Sequence, residues 1–325
     1  MIFIFSIPKD RTTFKVCSWL DHYAVPYTLV FPEDILEIEN IVLNSSKIEI
    51  IFMLNTTRFL LSNITGIWYR RGYVPLRFEY SESSIVEINQ HIKLEHNVIG
   101  NFIANKFNSL PNINKIGQGN TNKLLALDNA VKCGLNIPST MITKEINDCF
   151  YLGKNIITKS IGESLLINNS TGSSFYNETT IVQKDNIDID RRYNYSLFQV
   201  EIQKQIELRI FHFFGKNYSM AIFSQENEKT KTDFRNYDIE NPNRNIPYKI
   251  PKEVEHKINI FMELMDINSG SLDMIKTPNG EFIFLEVNPV GQYDMVSYPC
   301  NYFLHRLIAE KLKYFNETSN QKCFQ

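Results

Sequence analysis

The chain is poor in several things that would narrow its function at once. Of its 325 residues only five are cysteines, and Cys17, Cys133, Cys149, Cys300 and Cys323 are scattered, odd in number and never form a C-x-x-C pair. Neither a disulfide framework nor a cysteine zinc site is expected, and a reducing, cytoplasmic setting fits. Charge of one sign is also lacking. Thirty-four basic against 36 acidic side chains leave a net −2, which argues against nucleic acid as the main partner, although Arg70–Arg71 and Arg191–Arg192 form local basic pairs. Long apolar runs are missing too. The opening residues 1–7 are too few to cross a bilayer, carry no basic leader and meet Pro8, Lys9, Asp10 and Arg11 at once. They read as a first buried strand, and no membrane partner is expected. No repeat or low-complexity tail occurs, and the sequons at Asn44, Asn63 and Asn316 are what chance gives an Asn-rich chain.

What is present is ample core material, with 43% hydrophobic and 22% charged residues, enough for two to three subdomains. Apolar runs at 2–7, 27–31, 48–53 and 66–70 alternate with a helical pattern over 12–23, the rhythm of a small α/β domain with a mostly parallel sheet. A long helix is predicted over 82–109, closed by Pro111 and the loop N-K-I-G-Q-G-N-T-N. A second helix, from 121, ends at Gly134, and strands at 137–142, 155–160 and 179–183 make a small α+β unit. A third section from Tyr195 carries strands at 196–202, 207–214 and 217–223 with a hairpin turn at 214–217. A helix at 251–265, strands at 270–276 and 281–288, and a closing helix at 299–314 complete it. The expected domains are 1–110, 111–190 and 191–325.

Three groups of residues could carry chemistry. In F-I-F-L-E-V-N-P, strand alternation puts Glu286 and Asn288 on one face, and the Pro278-Asn279-Gly280 turn brings Asp273 opposite them. Three hard oxygen donors suit Mg²⁺, and the alternative is a solvated sheet face. Lys159 lies within the apolar run I-I-T-K-S, where a desolvated ammonium needs an anion, and Lys123 opens a helix. A polyphosphate would answer both, with the polar loop 170–174 folding over it; a plain surface lysine is the rival. Gln199, Glu201, Glu207 and Arg209 fall on two successive strands. There they could read a nucleotide base, bind ribose hydroxyls and meet a transferred phosphoryl group, or form a cross-strand ion pair. His91, Glu95 and His96 read as a solvated helix face rather than a metal cluster.

Taken in order, Lys123, Lys159, Gln199 to Arg209, Asp273 and Glu286-x-Asn288 resemble the ATP-grasp ligase superfamily over residues 111–314. I-W-Y-R-R at 67–71, E-L-R-I-F-H-F-F-G-K-N-Y-S-M-A-I-F-S-Q at 207–225, D-F-R-N-Y-D at 233–238 and L-E-V-N-P-V-G-Q-Y at 285–293 are similar to the graspetide synthetases, the microviridin-type peptide maturases, nearest the grasp-with-spasm subgroup. The resemblance implies an α/β (α+β) ATP-grasp fold with a pre-ATP-grasp domain, a small central domain and a C-terminal domain. It implies ATP and Mg²⁺ as cofactors and a ribosomal precursor peptide, leader plus core, as partner, with a leader site around 161–182 and a homodimer. By the same resemblance Lys123 and Lys159 match the phosphate lysines, Gln199 and Glu201 the hinge at adenine, Glu207 the ribose acid and Arg209 the γ-phosphate arginine. Asp273, Glu286 and Asn288 match the magnesium ligands, and Asp233 with Arg235 the D-x-R element where the core peptide enters. The hinge departs from the usual Gln-Glu-aromatic by reading Gln199-Val200-Glu201, which puts a side-chain role for Glu201 in doubt. The implied activity joins precursor Asp or Glu side chains to Thr, Ser or Lys. Its rivals are a ligase of the same fold adding free amino acids, such as glutamate to a protein tail, and a non-catalytic peptide-binding pseudoenzyme.

Overall fold

The computed structural model describes residues 1–80, 82–162, 166–168, 174–176, 179–182, 194–226 and 238–322. They form two compact units, residues 1–120 with 303–325 and residues 121–302. No helix among the described residues is long and apolar enough to cross a membrane.

In the first unit, strands β1 (Ile2–Phe5), β2 (Tyr27–Val30), β3 (Leu36–Leu43), β4 (Ile48–Leu54), β5 (Thr57–Leu60), β6 (Gly66–Tyr69) and β7 (Asn112–Ile113) divide between two sheets. A parallel sheet has the order β2-β1-β6-β7. All four residues of β1 are buried, as a strand covered on both faces requires. Helix α1 (Arg11–His22) starts where the Asp10 side chain accepts from the Thr13 N–H, and it buries Thr13, Val16, Cys17 and Leu20, one helical stripe. Helix α2 (Val86–Asn108) is the long predicted helix, four residues shorter at its start. The run at 48–53, expected in the parallel sheet, is instead the middle strand of an antiparallel β3-β4-β5 meander. The reason is loop length: Asn44–Lys47 and Asn55–Thr56 are too short for the crossover that parallel pairing needs. Phe3, Phe52, Phe59 and Phe107 interlock beneath, Phe3 and Phe59 edge to face at 5.2 Å.

The closing helix Leu304–Lys322, expected within the 191–325 section, packs in this first unit against α1, with Tyr23 Oη donating to Glu310 Oε1 at 3.2 Å. Its buried stripe of Leu304, Ile308, Ala309, Leu312 and Phe315 explains the attachment.

The second unit opens with α3 (Lys123–Lys132), capped by the Asn122 side chain and stopped at Gly134, whose φ of +73° suits the C-terminal cap. A small antiparallel sheet follows, built from β8 (Thr140–Thr143), β9 (Ile156–Lys159), β12 (Thr180–Val182) and β13 (Ser196–Val200) in the order β12-β9-β13-β8. The pair β10 (Leu166–Asn168) and β11 (Ser174–Tyr176) lies outside it. β13, expected to open the third section, thus belongs to the middle sheet, because its Leu197 and Phe198 are buried between β8 and β9. The larger sheet is antiparallel, β16-β15-β14-β17-β18, from β14 (Ile206–Phe213), β15 (Lys216–Phe223), β16 (Arg244–Tyr248), β17 (Ser269–Lys276) and β18 (Phe282–Asn288). The β14–β15 loop has two residues, Phe214 and Gly215, both with positive φ (46° and 79°), the backbone that a tight hairpin prefers. One face of this sheet presents Leu208, Ile210, Leu272, Met274, Phe284 and Val287 to α3 and α4 (Lys252–Leu264), where Ala126, Ala130, Ile258 and Phe261 meet them.

Candidate active site

The opposite face of the large sheet is polar, and register shows why. Glu207, Arg209 and Phe211 alternate away from the α3–α4 core on β14; Arg209 stands opposite Asp273 on β17, and Asp273 stands opposite Glu286 on β18. Simple alternation would have put Phe284, Glu286 and Asn288 on one face, with the core. A β-bulge prevents it. Met274 pairs with Phe284 but the next residue, Asp273, pairs with Glu286, so Leu285 is extra. Phe284 and Val287 both reach the core, leaving Glu286 and Asn288 to face the other way.

Between this face and the small sheet lies a cleft, partly open to solvent, lined by Lys159, Gln199, Glu201, Lys204, Glu207, Asp273 and Glu286 together with Ile157, Val200, Ile202, Met274 and Leu285. Apolar walls with a few polar groups are the chemistry of a small-molecule site. The remaining described candidates adjoin it. Lys123 Nζ donates to the Ser160 carbonyl at 3.0 Å, next to Lys159. Arg209 is only 6% exposed and spans to Asp273, its Nη1 within 2.5 and 2.6 Å of the two carboxylate oxygens. Asn288 is exposed at the end of β18, opposite Ser271, and its Oδ1 accepts from the Gly291 N–H at 3.3 Å. Asp233 and Arg235, residues 170–173 of the 170–174 loop and part of the 161–182 segment lie outside the described residues.

Glu207 is held by Ser224 Oγ, which donates to its Oε1 at 2.6 Å, and by Lys204 Nζ at 3.2 Å. Burial pushes the Glu207 carboxyl pKa up, against the pull of Lys204 and Ser224. The sequence pointed to neither Ser224 nor Lys204; Lys204 stands three residues before Glu207 in a polar link, a faint signal, and Ser224 gave none.

The residues fit a nucleotide and a divalent cation. Gln199 is fully buried, its amide nitrogen donating to Thr140 Oγ1 at 2.9 Å, and its Oε1 has no hydrogen-bond partner among the described residues. Backbone donors at the hinge divide: the Val200 and Glu201 N–H groups go to the Ser139 and Asn155 carbonyls, while that of Ile202 meets no described residue. A flat heteroaromatic ring with donors and acceptors on its edge would satisfy both open groups. For the cation, Asp273 and Glu286 face one another and Asn288 shares their face, an all-oxygen set suited to Mg²⁺ with waters and phosphate completing it. No group of three His, Cys, Asp or Glu side chains is gathered for a metal among the described residues. His96 stacks on Phe78 with ring centroids at 4.2 Å, a packing role.

Comparison with solved structures decides the architecture. A RiPP-associated ATP-grasp ligase of Chryseobacterium gregarium, solved with ADP and a leader and core peptide, superposes with a TM-score of 0.76 at 22% identity, over 99% of this chain and 96% of its own. The fold is that of the ATP-grasp ligases. The macrocyclase MdnC of Microcystis aeruginosa MRC, bound with precursor peptide MdnA, shares this ATP-grasp fold with a TM-score of 0.72 at 22% identity, over 96% of this chain and 99% of its own. The ATP-grasp ligase PsnB, in complex with minimal precursor, Mg and ADP, gives 0.66 at 13% identity, over 97% and 98%. No protein-family model matches the chain, and no curated protein does.

Proposed function

We propose that the chain is an ATP-dependent peptide ligase that joins Asp or Glu side chains of a ribosomally made precursor peptide to Thr or Ser hydroxyls as esters, or to Lys amines as amides. One observation carries this reading: a single cleft collects Lys159, the open Gln199 and Ile202 groups, Glu207 and the facing carboxylates Asp273 and Glu286, within a fold shared with ligases solved on leader, core and precursor peptides.

ATP with Mg²⁺ would supply the phosphoryl group that converts the peptide carboxylate into an acyl phosphate, which the hydroxyl or amine attacks with loss of phosphate. The chain's task is then alignment and charge neutralisation. Gln199 and the hinge backbone hold the base, with Glu201 at the rim of the same cleft, and Glu207 accepts from the ribose hydroxyls. Lys159, with Lys123 bracing the adjoining Ser160 carbonyl, faces the phosphates. Asp273, Glu286 and Asn288 would hold the cation, with Arg209 beside them for the transferred group. Asp233 and Arg235 keep the role of positioning the core peptide, since an arginine fork matches a carboxylate. A leader-binding role for residues 161–182 and a homodimer belong to the same proposal.

The test is mass spectrometry of a precursor peptide incubated with the protein, ATP and Mg²⁺. Loss of one water per cross-link is the expected result. Gain of whole amino-acid residues would instead favour the free-amino-acid ligase, a reading kept alive by the likeness to VanG D-Ala:D-Ser ligase of Enterococcus faecalis, TM-score 0.54 at 11% identity. Absence of any ADP release would favour a pseudoenzyme.

A further inference from the structure

Strand order tells where a parallel sheet leaves room for a ligand. From β1 the chain passes through α1 to β2 on one side, and from β6 it passes through α2 to β7 on the other. Between β1 and β6 the connections part in opposite directions, the place where such sheets open a crevice beyond the strands' carboxyl ends. Residues 6–10 follow β1 there, and Arg70 and Arg71 follow β6, both of their backbone N–H groups donating to the Phe5 carbonyl, at 2.9 and 3.1 Å.

Asp10 is shared by both guanidinium groups, with Oδ2 at 3.5 Å from Arg70 Nε and 3.2 Å from Arg71 Nε. Its Oδ1 is already engaged by the Thr13 N–H as the cap of α1. The three side chains sum to one surplus positive charge, and the Arg70 and Asp10 side chains are 3% and 6% exposed, so water screens that surplus poorly. Arg71 differs from its neighbour. Its side chain is 34% exposed, and it makes no hydrogen bond to any described residue. Burial, and then Arg70, hold its pKa down.

We propose that the carboxyl ends of β1 and β6 carry a carboxylate-binding site, that Arg71 is the residue meeting the ligand, and that the ligand is the ionised side chain of an acidic residue in a peptide. The peptide part of this proposal rests on the function proposed above. A guanidinium with an open planar edge matches two carboxylate oxygens at once. One carboxylate also cancels the surplus of one charge, whereas a phosphate monoester would bring close to two. Such a site would hold an acidic peptide through a side chain of the first unit.

The test uses the full chain without nucleotide and isothermal titration with three probes: N-acetyl-Glu-Glu-Glu-amide, its all-Gln counterpart and inorganic phosphate. Saturable binding of the Glu peptide, with the Gln peptide and Arg71→Gln each weaker by about tenfold or more, is expected. Arg71→Lys, which keeps the charge and drops the fork, should lose a smaller factor. Equal affinity in Arg71→Gln and wild type, or no binding of the Glu peptide at all, overturns the site. Phosphate binding as tightly as the Glu peptide overturns the carboxylate assignment. Precursor-dependent ADP release in the same preparation separates the two readings: release without Arg71-dependent binding refutes this site alone, and Arg71-dependent binding without release supports the site while refuting the ligase reading.

Discussion

Arg209 on β14 and Asp273 on β17 are direct register partners, and a single guanidinium nitrogen, Nη1, spans both oxygens of the carboxylate at 2.5 and 2.6 Å. Both residues are almost fully buried, and Asp273 is also the residue that faces Glu286. In the proposed site two demands meet on this carboxylate, neutralising Arg209 and holding a cation. The two arginine contacts leave about two of the carboxylate's roughly four lone-pair positions open, but the positive charge of Arg209 beside them opposes a cation.

Removing one partner of this pair should reveal the competition. Arg209→Met leaves Asp273 buried and uncompensated, at a cost of about 3 kcal/mol or more. Mg²⁺ should then raise the melting temperature of Arg209→Met by more than it raises that of wild type, because the arginine no longer competes. Equal shifts in differential scanning fluorimetry would place the cation away from Asp273. Glu286→Gln keeps the Arg209–Asp273 pair, so its stability should stay within about 1 kcal/mol of wild type while ATP-dependent turnover is lost; full turnover would remove Glu286 from the cation site.

Lys159→Ala should weaken ATP binding by about tenfold or more, since a desolvated lysine–phosphate contact is charge-assisted. Nucleotide at about 100 times its dissociation constant stabilises a protein by about 2.7 kcal/mol. A tenfold loss of affinity should remove about half of that shift in Lys159→Ala at the same concentration, and a larger loss more. Retention of the whole shift would show that phosphate sits elsewhere.

Glu207 ties the cleft to pH. Its folded pKa lies above the 4.5 of an ordinary Glu, chiefly through burial. A carboxyl whose pKa is raised contributes stability below its unfolded value and loses that contribution as pH rises through the folded one. The stability of Glu207→Gln relative to wild type, measured by urea unfolding, should therefore improve as pH rises from 4.5, and a constant difference would contradict the assignment. With the proposed role of the ionised form as acceptor from ribose hydroxyls, nucleotide affinity of wild type should begin to fall on acidification above pH 4.5, whereas Glu207→Gln should bind more weakly with little pH dependence.

Deleting Leu285 removes the extra residue of the β17–β18 bulge. Regular alternation from Phe284 then still aims Glu286 and Asn288 away from the α3–α4 core and Val287 into it. Cooperative unfolding is therefore expected to survive the deletion. Loss of cooperative unfolding in the deletion variant would show that the strand needs the bulge for more than the facing of Glu286.

Much of the second unit was legible because hydrophobic period and turn chemistry agree there. Gly134 closes α3, Phe214-Gly215 turns β14 into β15, and Pro278-Asn279-Gly280 turns β17 into β18, all as the residue types demand. The first unit was read less well. Residues 48–53 look like any buried strand, and only the short links on either side, with Asn44 and Asn55 shaping them, make β4 antiparallel. The closing helix shows an apolar stripe in sequence, but nothing local says that the stripe belongs against α1.

By itself the sequence determined which residues could hold a nucleotide and a cation, because Lys159, Glu207, Asp273, Glu286 and Asn288 are polar groups in strands otherwise built for burial. Tertiary structure decided which way they face and whom they meet. Glu286 turns from the core through one unpaired residue, Leu285, and Asp273 acquires Arg209 from a strand more than sixty positions away. Pattern fixes a side chain's face only while the ladder stays regular, and a bulge is set by the packing of Phe284 and Val287 on both sides of it.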